Sequence, residues 1–172
     1  MCIRDSILGK QSLIQAIRTD NYSGGTKIQG PMAVTSLKHL VYAPAALAIH
    51  TQVVEEVVAR LNAGEVPGVR RAFVGNHAER AALVEFDAPI AQQVTSVAWK
   101  YGAAPYPVGS SSQYEVNVMI YRISGIMSKD DPELLARVVR VNPYRTGPDT
   151  IIRVLSAAVR AVETELERVS AS

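Results

Sequence analysis

At 172 residues, 48% hydrophobic and 20% charged, the chain has enough apolar material for one well-buried domain, and no shift in composition marks a second. A net charge of +2 with scattered Lys and Arg residues excludes the basic footprint of a nucleic-acid binder. The single cysteine, Cys2, excludes an internal disulfide framework and a thiolate metal cluster and points to a reducing compartment, with the cytoplasm as the expected location; no run approaches the roughly 20 apolar residues of a membrane span.

Met1 to Ser6, MCIRDS, resembles a translated sequencing adapter and is set aside as a non-native leader. Residues 7–172 then read as a single α+β domain, a fragment of a larger protein with further chain upstream. The first element is a short amphipathic helix over Leu8–Ile17, with Leu13, Ile14 and Ile17 on one side. Ser23-Gly24-Gly25 and Gly30-Pro31 bracket a loop. Ala33–Tyr42, apolar with β-branched residues, predicts a strand that carries Lys38 and His39 toward Pro44. Pro44 suits the first turn of a helix running to Leu61, where Asn62-Ala63-Gly64 ends it.

Val69–Val74 and Ala81–Phe86 predict an antiparallel hairpin turning at Gly75-Asn76, after which Asp87 is placed to cap a helix ending at Gly102. A Pro- and Ser-rich loop follows. Glu115–Ser124 predicts a strand, Asp130-Asp131-Pro132 opens a short helix through Ala136, and Arg137–Val141 predicts another strand. Leu155, Val159, Val162, Leu166 and Val169 recur at helical spacing and predict a last helix from about Asp149, although Ile151-Ile152-Arg153-Val154 leaves a strand open. The order describes an α+β fold with helices packed on one face of a mainly antiparallel sheet.

Chemistry has few places to reside. A phosphate-binding glycine loop, a dinucleotide fingerprint, a zinc-protease helix and a nucleophile elbow all lack their residues. His39, His50 and His77 have no paired helical spacing, so no metal site is expected. His50 falls in the apolar stripe of Val53, Val54, Val57, Val58 and Leu61, opposite Gln52, Glu55, Glu56 and Arg60; it is either a satisfied core histidine or a group facing a site. Lys38, in an apolar segment with His39 and Tyr42, either meets an anion such as a substrate carboxylate or reaches along its stem to water. His77, beside Asn76 and Glu79 in a turn, reads as solvated.

GKQSLIQAI, the Gly-rich turn after it and SLKHLVYAPAALAIHTQVVEE, together with QQVTSVAWKYGAAPYPVG and DDPELLARVVRVNP, resemble the small lid domain of the MmgE/PrpD family. That family includes 2-methylcitrate dehydratase, cis-aconitate decarboxylase and iminodisuccinate epimerase. The resemblance implies a cofactor-independent lyase or isomerase acting on di- or tricarboxylates, by removal of a proton next to a carboxylate. Lys38 would meet the substrate carboxylate with His39 beside it, and His50 would match the helix-opening histidine. Tyr101 is the nearest candidate for the lid tyrosine. The resemblance further implies no cofactor, a small carboxylate substrate, an N-terminal helical domain absent from this chain, a homodimer and an inactive fragment. After Pro143 that family has a strand pair where this sequence reads as a helix.

A second resemblance starts from SGGTKIQGP, where Lys27 before a Gly-Pro turn is similar to the cofactor lysine of fold-type-I pyridoxal phosphate enzymes, and VPGVRRAFVGNHAERAALVEFD to their small-domain entry. Too few residues separate Lys27 from Val66 to hold the rest of a large domain. A third reading is an α+β domain for dimerisation or small-molecule binding, without chemistry of its own.

Overall fold

The computed structural model describes residues 9–20, 30–75, 81–103, 119–123, 131–143 and 146–171. They fall in two compact units, Cys2–Ala46 and Leu47–Ser172. The expected features at Ser23-Gly24-Gly25, Lys27, Asn76, His77 and the Pro- and Ser-rich loop lie outside the described residues.

In the unit Cys2–Ala46, helix α1 spans Gln11–Asp20 and helix α2 opens at Gly30-Pro31. Pro31 suits a first turn, where its missing N–H would have had no helical partner. The strand expected over Ala33–Tyr42 is not formed. These residues belong to α2, which runs unbroken over Gly30–Asn62 with Pro44 in its interior. Val34, Leu37 and Val41 repeat at steps of three and four, a helical period that outweighs the β preference of the valines. Pro44 removes one N–H from the ladder, and the helix is read through it.

In the unit Leu47–Ser172, the last turns of α2 bury Val54, Val57 and Leu61. Glu55 and Glu56 stay exposed on the same turns, so the apolar stripe foreseen for this half of α2 faces the core. Strands β1 (Val69–Val74), β2 (Ala82–Phe86), β3 (Ile120–Arg122) and β4 (Val138–Val141) form an antiparallel sheet in the order β1-β2-β4-β3. β1 and β2 are the predicted hairpin, with Ala72 opposite Val84 and Val74 opposite Ala82. β2 pairs β4 through Val84 opposite Val139, and β3 pairs β4 through Ile120 opposite Val141.

Alternation along the strands sorts their side chains onto two faces. Ala72, Ala82, Val84, Phe86, Ile120, Val139 and Val141 share one core with the end of α2, with α3 (Ala91–Val97) and its 3-10 continuation Ala98–Tyr101, and with α5 (Pro148–Ser170). The predicted α+β arrangement, with most helices on one face of an antiparallel sheet, is therefore observed. A smaller cluster on the other face joins Leu83, Val138 and Ile123 to Leu134 and Leu135 of the short helix α4 (Pro132–Arg137).

Several boundaries follow from local chemistry. Asp131 caps α4 as its carboxylate accepts the Glu133 N–H at 3.0 Å. Asp87 does not cap α3, whose N-cap position is Ile90. Gly68, at φ +76°, adopts the left-handed region that favours glycine, and its carbonyl accepts the Asp87 N–H at 3.0 Å. A side chain there would also meet Glu163 Oε1 at 2.9 Å. The seven-residue spacing of Leu155, Val159 and Val162 is continuous helix from Pro148, so the open strand reading of Ile151–Val154 is settled as helix, and no strand pair follows Pro143 among the described residues.

Candidate functional site

The residues proposed for chemistry are distributed, and no single cleft holds them among the described residues. Lys38 and His39 are both exposed on α2 in the unit Cys2–Ala46. As consecutive helical residues they point about 100° apart, so they do not present a shared face. His50 is half-buried on α2 within the unit Leu47–Ser172. Tyr101, also half-buried, ends the 3-10 turn and packs against the main core. Among the described residues no group of three His, Cys, Asp or Glu side chains is placed to hold a metal ion, and no helix is long and apolar enough to cross a membrane.

Charge is organised instead on the sheet face away from the main core. Glu85, in the second strand, is buried at 6% exposure. The register between β1 and β2 shifts between Val69 and Arg71, so Arg70 is an extra residue and two arginines stand against one carboxylate. Arg71 Nε donates to Glu85 Oε2 at 2.5 Å, and Arg70 Nη1 donates to Oε1 at 3.3 Å. The hydrogen bond from Arg71, then that from Arg70, hold the Glu85 carboxyl below its usual range against the opposing effect of burial. Arg71 also lies over the Phe73 ring, 6.0 Å from its centre. On the same face Leu83 pairs with Arg140 of the inner strand β4. Two residues on, Asn142 is buried; its N–H donates to the Met119 carbonyl at 2.8 Å, while its Oδ1 is a buried acceptor with no hydrogen-bond partner among the described residues.

A second ionic group fixes the end of α2. Arg60 donates to Glu65 Oε2 at 2.8 Å and to Asp149 Oδ1 at 2.6 Å, and Glu56 lies 3.6 Å away. The bonds to Glu65 and then Asp149 raise its pKa further. Next to it, Asn62 imitates a strand: its Nδ2 donates to the Ala72 carbonyl at 2.9 Å and its Oδ1 accepts the Ala72 N–H at 2.8 Å. This closes part of the outer edge of β1. The sequence reading assigned the hairpin no register and so missed the Glu85 pairing. The signal was present in symmetry: a pairing of Val74 with Ala82 carries Arg71 onto Glu85.

Residues 55–155, more than half of the chain, match the family model described as YhfS-like, C-terminal domain. The chain is 39% identical over 157 residues to an uncharacterized protein YhfS of Escherichia coli strain K12, which covers 91% of this chain and 44% of that protein. A solved structure, titled a pyridoxal-5'-phosphate dependent protein YhfS from Escherichia coli, superposes with a TM-score of 0.77 at 39% identity, over 89% of this chain and 42% of that one. The chain thus spans less than half the length of these relatives. These matches overturn the MmgE/PrpD resemblance, and with it the 2-methylcitrate dehydratase and lyase reading. The physical source of the error is the strand expected around Lys38: the resemblance was built on a lysine-bearing strand before a helix, and Lys38 lies inside α2. The roles given there to Lys38, His39, His50 and Tyr101 lose the likeness that suggested them.

Proposed function

Because the chain belongs to the family of YhfS-like C-terminal domains, we propose that it is the small-domain half of a pyridoxal phosphate-dependent protein, with Lys27 as the residue that anchors the cofactor. The observation behind this reading is 39% identity and a TM-score of 0.77 to a protein titled as dependent on that cofactor. The length objection to Lys27 falls away on this reading. Helix α2 takes up Gly30–Asn62, leaving Lys27 directly ahead of the helix that leads to the sheet, and the larger part of the protein precedes Lys27 rather than following it.

The residues fit the group in their chemistry. Lys27 offers a primary amine between Gly24-Gly25 and Gly30-Pro31, three residues before α2 begins, and the first helical residue, Gly30, has open space around it. When bound, the cofactor supplies an electron sink for charge that develops next to a substrate amine. Lys27 Nζ would hold the cofactor and would supply a base for a proton beside the substrate amine.

The test joins this chain to its upstream reading frame, adds pyridoxal phosphate, reduces with borohydride and maps the adduct by peptide mass. An adduct on the Lys27 peptide, lost in Lys27→Ala, is expected. A stable adduct on another lysine, or cofactor binding that survives Lys27→Ala with an unchanged spectrum, refutes the assignment.

A further inference from the structure

We propose that the Val34–Tyr42 part of α2 is an interface for the portion of the polypeptide that precedes this region in YhfS-like proteins. Five large apolar residues in that stretch, Val34, Leu37, Leu40, Val41 and Tyr42, are between 46% and 68% exposed. At about 100° per residue they cover roughly 200° of the helix circumference. Lys38 is the lone Asp, Glu, Lys or Arg residue from Gly30 to Thr51.

An amphipathic surface helix has an apolar stripe a little over 100° wide and a polar face opposite. This stretch has about twice that stripe and almost no charge. A helix apolar over most of its circumference is at home inside a protein, not on its surface.

The breadth of the arc selects the occupant. A second copy of this chain, docking helix against helix, would cover a single stripe and leave the rest in water. A folded body that encloses the helix on two sides covers all of it. The relatives have room for such a body: the match covers 44% and 42% of their lengths, and the matching family model describes a C-terminal domain. The occupant is therefore the preceding part of the same polypeptide, presenting an apolar groove, with an acceptor or solvent opening for the Lys38 ammonium. The inference rests on the family assignment and not on the cofactor reading.

Hydrogen exchange compares this chain with the same chain extended through its upstream reading frame, both carrying Lys27→Ala so that cofactor binding plays no part. Amides of residues 34–42 are expected to exchange at least about tenfold more slowly in the extended protein. Equal exchange in the two overturns the proposal. In sedimentation, a discrete dimer of the short chain with these same amides protected overturns it in favour of a second copy. Leu37→Glu with Val41→Glu is expected to leave the circular dichroism and unfolding midpoint of the short chain unchanged, and to return the exchange rates of the extended protein toward those of the short chain. Protection that persists in the extended double variant also overturns it.

Discussion

The two ends of helix α2 are built from similar residues and meet opposite environments. Val54, Val57 and Leu61 are at most 1% exposed, whereas Val34, Leu37, Leu40, Val41 and Tyr42 are between 46% and 68% exposed. Apolar character alone therefore does not decide burial along this helix; the availability of a complementary surface does. The C-terminal turns have α5 and the sheet to pack against. They also carry their own polar face in Glu55, Glu56 and Arg60, which marks them as a boundary between core and water. The N-terminal turns have Thr35, Ser36 and His39 opposite their large apolar residues but a single charge, Lys38, and those apolar residues stay exposed in this chain.

The sharpest way to break this comparison is to truncate the buried end. Leu61→Ala removes a fully buried side chain from the main core and is expected to cost about 2–5 kcal/mol in urea unfolding, the spread depending on how far the site collapses. A cost under about 1 kcal/mol would mean that the C-terminal turns of α2 are not integral to the core.

Legibility in the sequence followed the same division. The long helix α5 could be read because it buries one face, which writes a period into the sequence, while the hairpin, α4 and β4 were marked by the turn and cap residues Gly75-Asn76, Asp131-Pro132 and Asn142-Pro143. The first half of α2 carries a helical period, with Thr35, Ser36 and His39 opposite its large apolar residues, but its Val and Thr residues with Pro44 imitated a strand followed by a helix start. That misreading supplied the false family resemblance. Site residues were harder still. Lys27 stood out as a type of residue in a type of turn, and a residue count that placed the rest of a large domain after it weighed against it. The Glu85 pair required the hairpin register, and a shift at Arg70 cannot be seen in composition.

A smaller effect tests what fastens the buried end. Asn62→Ala removes both hydrogen bonds to Ala72 and leaves an N–H and a C=O on the outer edge of β1 to water. The expected loss is about 1–2 kcal/mol, with faster amide exchange at Ala72 than at its inner neighbours. An unchanged stability would show that the sheet edge holds without the helix.

Glu85 sharpens the contrast from the second face of the sheet, where a buried carboxylate is held by pairing beside a smaller apolar cluster. Its carboxyl is held below the usual 4.5, first by the Arg71 hydrogen bond. A folded-state pKa lowered in this way contributes stability that is complete above the unfolded value and is lost as pH falls through the lower folded value. Stability of the parent chain is therefore expected to decline below about pH 4.5, and Glu85→Gln to flatten that decline. Because both arginines are largely exposed, the loss at neutral pH is expected to be about 1 kcal/mol or less. An acid limb identical in parent and variant would show that other carboxylates set it.

The smallest effect is the most telling one. Leu37→Ala truncates the same side chain as Leu61→Ala, on the same helix, at a position 61% exposed. In this chain the change removes little area from contact and is expected to alter the unfolding free energy by no more than about 0.5 kcal/mol. In the protein extended upstream, the same truncation would open a void in an enclosed surface, and its cost should rise toward that of Leu61→Ala. The difference between the two backgrounds measures the packing that the proposed upstream body provides at this position, because the residue, the helix and the mutation are held fixed. A cost of several kcal/mol already in the short chain would mean that Leu37 is buried there, and the two ends of α2 would no longer differ.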